Sequence, residues 1–420
     1  MIQTLRQKIY RLLRWSERYT KADMVYIARG GFWVTFGQVM SNLLSLALIV
    51  AFANLLPKET YGLYRYILSI AGVLNIFTLT GMNNAVSRAV AAGDESSFRT
   101  SISYQFKWNL MMLAAFFVLG GYYAFHGDSM FAFAFFILGT FIPATLVLNT
   151  YGAYLDGKRE FRIASITSAL STLVYVIGVL AAILFSGDIL WLIAAYAITT
   201  FCSTFFFYTY TLRRFKPAVP TGNDNALRYG RELTFIGFIA PIAAQIDKIV
   251  LAHFWGAADL AVYSLARAVP DKATLLIKNL VGIGFPKFSA KTPEEINRVF
   301  YRRVFQGMAI GATASVLYII VSPFLFIYIL PQYLDAIVYS QILALSFIFA
   351  MPNRYISLLL VSQKLSQRIL TNNVILSVLN ITLYVVLGIS GGILGLVIAY
   401  VLNSFIGMLI NIAVWRKKHV

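Results

Sequence analysis

The sequence predicts an all-α polytopic membrane protein with twelve transmembrane helices in two six-helix bundles, related by a parallel internal repeat. Three observations carry that expectation. Hydrophobic residues make up 59% of the chain and charged residues 12%, which leaves too little polar surface to cover a soluble fold. Apolar windows long enough to cross a bilayer recur twelve times, and the connections between them alternate between basic and nearly base-free.

The windows fall at about 30–53, 61–83, 108–125, 129–153, 163–185 and 189–212, and then at about 232–253, 260–286, 304–330, 336–361, 369–389 and 393–415. One set of connections is short and carries a single base, Lys58, in NLLPKET. The other set, with both chain ends, holds 28 of the 35 Lys and Arg in runs such as DGKREFR and RRFKPAV. The excess of base on one side is expected to place both termini and the basic loops of a multi-pass membrane protein in the cytoplasm. Most of the formal charge of +18 therefore reports topology, and nucleic acid is not an expected partner.

Residues 1–29 read as a cytoplasmic lead-in with an interfacial amphipathic helix. Ile2, Leu5, Ile9, Leu12 and Leu13 share one face, while Arg6, Lys8, Arg11, Arg14 and Arg18 lie mainly elsewhere. Residues 30–212 form the first bundle, 213–231 a cytoplasmic linker with Pro217 and Pro220, 232–415 the second bundle, and 416–420 a cytoplasmic tail. A weak repeat at an offset of 199 aligns Gly62-Leu63-Tyr64 with Ala261-Val262-Tyr263, Arg88 with Lys287 and Ala91 with Ala290. Six spans separate the copies, so both have the same orientation.

The charges inside spans are the candidate functional residues. Asp247, Lys248, Arg267, Asp271, Lys272 and Lys278 lie in otherwise apolar stretches, and each would cost about 2.5–3.5 kcal/mol if it faced lipid. A water-filled, predominantly cationic cavity between helices accommodates them and suits an anionic cargo. Arg267, Asp271, Thr274 and Lys278 share one helical face, although an i,i+4 pair such as Arg267 and Asp271 can also neutralise itself. Lys272 projects about 100° from Asp271 and is expected to pack elsewhere. Of the neighbours Asp247 and Lys248, at most one faces the cavity squarely.

Lys278 and Arg354 fit either the cavity or snorkelling to head groups, and Arg65 fits either a gate or an interfacial anchor. Thr35, Gln38, Asn42 and Ser45 form an uncharged stripe on the first span that suits either sugar hydroxyls or helix packing. Pro143, Pro241 and Pro352 fall inside spans, where each fits either a kink or static packing. The single Cys202 allows no intrachain disulfide. His126, His253 and His419 are scattered, so no metal site, catalytic group or cofactor is expected.

Four segments, LPKETYGLY (Leu56 to Tyr64), NAVSRAVAAG (Asn84 to Gly93), QIDKIVLAHFWGAADLAVYSLA and GIGFPKFSA, resemble the multidrug/oligosaccharidyl-lipid/polysaccharide exporter superfamily, and within it the O-antigen-type polysaccharide flippases. The resemblance covers essentially the whole chain. It implies two bundles in a V that alternate access around a central cavity and turn over a polyprenyl-diphosphate-linked oligosaccharide for cell-surface polysaccharide assembly. Membrane lipids, polysaccharide polymerase and chain-length machinery are the further partners it suggests.

On that reading Arg267, Lys248, Asp271, Lys278, Arg354, Arg65, Asp247, Asn42 and Gln38 are the substrate-site candidates. An ion-coupled drug or small-molecule exporter of the same fold is the alternative, and a cavity of net negative sign would favour it. An integral-membrane polymerase or glycosyltransferase is disfavoured, because the acids of the short connections (Glu59, Asp128, Asp188, Asp259 and Asp335) are isolated. No GxxxxGK[ST] phosphate loop occurs, which argues against a nucleotide-driven pump.

Overall fold

The computed structural model describes residues 24–218, 225–282, 293–362 and 366–416. The expected interfacial helix of the first twenty residues, the GIGFPKFSA segment after Gly282, and Lys287 of the repeat lie outside the described residues. Among the described residues every regular element is helical. They are α1 (Met24–Leu55), α2 (Lys58–Leu74) with a 3-10 turn Asn75–Phe77, α3 (Met82–Ala91), α4 (Ser96–Phe125), α5 (Ser129–Leu148), α6 (Thr150–Gly157), α7 (Phe161–Phe185) and α8 (Ile189–Phe215). There follow α9 (Asn225–Ile236), α10 (Ala240–Ala243), α11 (Ile246–Trp255), α12 (Ala257–Gly282), α13 (Pro293–Ile329) with a 3-10 turn Pro331–Tyr333, α14 (Ala336–Ala344), α15 (Phe347–Ser362) and α16 (Ser366–Arg416).

Eight of these helical stretches are long and apolar enough to cross a membrane, and a bent pair, α2 with α3, makes a ninth if it is one span. That count differs from the twelve windows for physical reasons. The window 232–253 is divided among α9, α10 and α11, each too short to span alone, and the charges of α12 keep it outside the apolar count. The stretch α16 holds 51 residues, about 76 Å of helix against a hydrocarbon core of about 30 Å. It reverses at Gly392, whose φ of 54° and ψ of −133° suit a residue without Cβ. The reversal brings Asn372 Nδ2 to 2.5 Å from Asn411 Oδ1. The SGG connection therefore ends one helical arm and begins another, and α16 is a hairpin of two arms.

Local sequence sets several helix starts. In HGDS and SGDI a glycine turns the chain with positive φ, at Gly127 and Gly187. The next residue caps the following helix: Asp128 accepts from the Phe131 amide at 3.2 Å and Asp188 from the Leu190 amide at 2.8 Å. Pro241 opens the four-residue α10, where its missing N–H is harmless, rather than kinking a continuous helix. Pro143 and Pro352 do lie within helices.

Packing joins α1 with α7, α4 with α5, and α5 and α7 with α8; further along the chain α13 packs on α15, and α11 and α15 on α16. The helices α2 and α12 pack against each other in the middle of the molecule. A Cβ on Gly62 would stand 1.7 Å from the Ala257 carbonyl oxygen, so the two backbones touch there as small residues allow between membrane helices. At the Lys58 end the first connection meets the turn after α13. Lys58 Nζ lies 2.9 Å from Asp335 Oδ2, Asn54 Nδ2 donates to the Ile329 carbonyl at 2.9 Å, and Gln332 Nε2 donates to the Asn54 carbonyl at 3.2 Å. At the opposite end Glu95, just ahead of α4, accepts from Lys158 Nζ at 2.6 Å and from the Tyr154 hydroxyl at 2.9 Å.

Both kinds of contact can be tested through stability. Gly62→Val places branched carbons into the Ala257 backbone; we expect it to lower stability by at least about 1–3 kcal/mol, read as a fall in melting temperature by fluorescence-detected size exclusion, and an unchanged melting curve would refute the close approach. The hydrogen bond from Lys158 holds the Glu95 carboxyl below its ordinary value. The stability it adds is present above the unfolded carboxylate range, about pH 4.3, and is lost as pH falls through the lower folded value. Melting scans should show wild type and Lys158→Met converging as the buffer becomes more acidic than that range, and a constant gap would contradict the linkage.

Candidate functional site

The in-span charges meet in a cleft of about 310 Å³ between α1, α2 and α7 on one side and α11 and α12 on the other. Arg65 reaches it from α2, Lys248 from α11, and Arg267, Asp271 and Lys272 from α12. Tyr64 and Tyr263, equivalent positions of the repeat, both line it. The i,i+4 rows of α12 put Tyr263, Arg267 and Asp271 on one face, as the spacing predicts. Thr274 is buried with its hydroxyl unpartnered and does not line the cleft.

Arg267 is not free. Its Nη1 donates to Asp247 Oδ2 and, at 3.0 Å, to the Tyr263 hydroxyl, while its Nε donates to Asp271 Oδ2 at 3.2 Å. The Tyr263 hydroxyl in turn donates to Asp247 Oδ2 at 2.9 Å, and the Tyr400 hydroxyl donates to Asp271 Oδ1 at 3.2 Å. The guanidinium also lies 4.8 Å from the Tyr400 ring centre, within cation–π range. The Asp247 side chain is 1% exposed, so its charge depends on this guanidinium, whereas that of Asp271 is 43% exposed toward the cleft. Two carboxylates on one guanidinium leave it little capacity for another anion.

Among the described residues, the other three cations of the cleft hold no carboxylate. Lys248 Nζ donates to Gln245 Oε1 at 2.6 Å, and Lys272 Nζ donates to Asn42 Oδ1 at 3.0 Å, a bond that ties α12 to α1. Arg65 is half-buried, and its Nε is buried without a hydrogen-bond partner. Lys272, which a helical projection turns away from Asp271, therefore shares the cleft with it, because a long lysine stem on a half-buried helix can swing toward a polar gap. Of the Asp247–Lys248 neighbours, Lys248 lines the cleft and Asp247 packs behind it.

The remaining candidates separate. Asn42 is buried beside the cleft as the partner of Lys272 and lies 3.4 Å from Gln38 Nε2. Gln38 itself lines a different cavity, of about 570 Å³. Arg354 is exposed on α15 and lines neither of these spaces. Lys278 lies in α12, but its side chain is outside the described residues. Sequence reasoning missed Gln245 and the tyrosines 64, 175, 263 and 400. Gln245, two residues before Asp247, is visible in the sequence as an isolated amide in an apolar run; the tyrosines are indistinguishable there from core or interfacial aromatics.

Removing one partner of a buried ion pair strands the other charge, at about 3–5 kcal/mol. We expect Asp247→Leu to lower the melting temperature strongly and Asp247→Leu combined with Arg267→Met to recover most of the loss. A double variant no more stable than the single one would show that the guanidinium does not depend on Asp247.

Known proteins resemble this chain in sequence or in fold. The "Putative O-antigen transporter" of Shigella flexneri is 23% identical over 290 residues, a match that spans 63% of this chain and 66% of that relative, slightly under two thirds of its length. An inward-facing multidrug resistance MATE family transporter of the MOP superfamily superposes with a TM-score of 0.65 at 13% identity, covering 90% of this chain and 94% of that one. The lipid II flippase MurJ in an inward closed conformation gives 0.61 at 14% identity over 90% and 86%. At these identities the likeness shows the fold alone, one that this chain shares with both transporters. Residues 27–290, well over half the chain and the part that holds the cleft, match the polysaccharide biosynthesis protein family, and the chain belongs to that family.

Proposed function

We propose that the protein is a flippase that carries a polyprenyl-diphosphate-linked oligosaccharide from the inner to the outer leaflet of the cytoplasmic membrane. The observation that carries this reading is the charge arrangement of the cleft. Arg65, Lys248, Arg267 and Lys272 stand with Asp247 and Asp271, an excess of two positive charges, and three of the four cations hold no carboxylate among the described residues. A diphosphate supplies the missing negative charge. Arg65 can hold it bidentately, and Lys248 and Lys272 can hold it as point charges once they release Gln245 and Asn42. A cationic drug would meet repulsion in the same place, so the exporter alternative is disfavoured. Polymerization and chain-length control of the product fall to other proteins.

The reading includes twelve spans in two bundles, 30–212 and 232–415, joined by a cytoplasmic linker at 213–231, with both termini cytoplasmic. The distribution of Lys and Arg supports that orientation. It puts the Lys58 end outside, where the contacts among Asn54, Lys58, Ile329, Gln332 and Asp335 hold the two halves together. Alternating access requires that latch to part.

Reconstituted vesicles containing a labelled polyprenyl-diphosphate oligosaccharide test the proposal. Alanine at Arg65, Lys248 and Lys272 together should reduce transbilayer movement to the protein-free rate, while Arg65→Lys alone should retain part of it, because charge survives and the bidentate fork does not. Wild-type rates in the triple variant would overturn the assignment of these cations.

A further inference from the structure

We infer that the glycan of the proposed substrate is read at an uncharged amide and hydroxyl hub around Thr80, Asn83 and Asn84, and that this hub selects an oligosaccharide of neutral sugars. The inference rests on the flippase reading. The hub exists because the second span is broken: after the turn Asn75–Phe77 the backbone extends at Thr78 (φ −107°, ψ 158°), and α3 leaves at 58° to α2. Thr80, Asn83 and Asn84 are thereby placed where three cavities converge. Asn83 and Asn84 line the cavity of about 570 Å³ among α1, α3, α6 and α7. Thr80 and Asn83 line one of about 480 Å³ reaching Gln105, Asn109 and Gln245, and Thr80 and Asn84 line another of about 480 Å³ reaching Asn380 and Asn403. Each is within the range of about 300–1,000 Å³ usual for small-molecule sites.

The chemistry of the walls differs from that of the cleft. Among the described residues no lysine or arginine lines any of the three cavities, and Asp156 is the one charged side chain in their walls. Behind these walls several amide oxygens are buried with acceptor capacity unfilled. Asn109 is 4% exposed and spends its Nδ2 on the Pro143 carbonyl at 2.9 Å, leaving Oδ1 without a partner. Asn380 spends its Nδ2 on the Ala243 carbonyl at 3.1 Å, and the carbonyl oxygens of Asn380 and Asn403 are likewise buried and unpartnered.

The exposed side-chain amides of Asn83 and Asn84 present both N–H donors and carbonyl acceptors to the cavities, and sugar hydroxyls, which donate and accept, match them. A uronic acid would bring a carboxylate to walls that hold amide oxygens and Asp156 but, among the described residues, no cation. Gln245 joins the two regions: it lines the Asn109 cavity and binds Lys248 at 2.6 Å. A diphosphate at Lys248 thus has its first sugar directed past Gln245 into the hub.

The test compares three polyprenyl diphosphates in vesicles containing the full chain: one bearing a single hexose, one a neutral hexose tetrasaccharide, and one the same tetrasaccharide with a hexuronic acid. Wild type should move the neutral tetrasaccharide about tenfold faster than the acidic one. Asn84→Leu should slow the neutral tetrasaccharide about tenfold more than the single hexose, and Asn84→Gln should restore part of the rate. Equal wild-type rates for the neutral and acidic tetrasaccharides, or equal slowing of the single-hexose and tetrasaccharide lipids in Asn84→Leu, would make the hub a solvent-filled vestibule and overturn the inference. If wild type moves none of the lipids, the flippase reading fails by itself. Saturation-transfer NMR with the soluble neutral tetrasaccharide then decides the hub: a signal in wild type that Asn84→Leu loses sustains it, and no signal in wild type removes it.

Discussion

The cost of holding charge away from water governs this structure. A cation on a membrane helix is tolerated where it finds a carboxylate, a ring of dipoles or a polar space. Here Arg267 finds two carboxylates, the Tyr263 hydroxyl and the aromatic face of Tyr400. That cluster fixes α11 beside α12 and involves α16 through Tyr400, so the later part of the chain is organised around one guanidinium. The early part has no equivalent among the described residues. Its cation, Arg65, stands half-buried on α2 without an ion pair, and the uneven satisfaction of charge across the α2–α12 contact gives the cleft its character.

A satisfied cluster beside unsatisfied cations is a useful arrangement for binding that must be reversible. Ion pairs already closed resist exchange, whereas Lys248 and Lys272 hold neutral amides that an incoming dianion can outcompete. The bond from Lys272 to Asn42 also spans the gap between α12 and α1, so on the proposed reading anion binding and the separation of those helices are coupled through one ammonium group. Gln245 bridges the charged cleft and the amide-lined cavities, so on the proposed reading charge and hydroxyls are recognised in separate compartments.

Broken helices make this possible. Continuous spans at 58–91 or 225–255 would satisfy their own backbones and leave no irregular wall. The breaks at Thr78–Gly81 and at Gly237–Gln245 face each other: the Gly81 amide donates to the Thr234 hydroxyl at 3.0 Å, and Gly72 lies against the Gln245 side chain. Irregular backbone at membrane depth is tolerated because it is covered by protein and lines a cavity.

The sequence alone determined the membrane class, the order of the apolar segments and the identity of the charges that lipid cannot accept, because hydropathy and desolvation act locally and leave a one-dimensional record. Tertiary structure decided which charges meet. Arg267 and Asp271 were legible as an i,i+4 pair, but nothing in the spacing shows that Asp247, twenty residues away, completes the cluster, that Lys272 bends into the cleft, or that Arg354 stays outside it. The amide hub was still less legible, since Asn83 and Asn109 come from α3 and α4, Asn380 and Asn403 from the two arms of α16, and they acquire a common role only where those elements pack. Pairing across helices depends on three-dimensional distance and on long, flexible side chains, which periodicity along one helix does not encode.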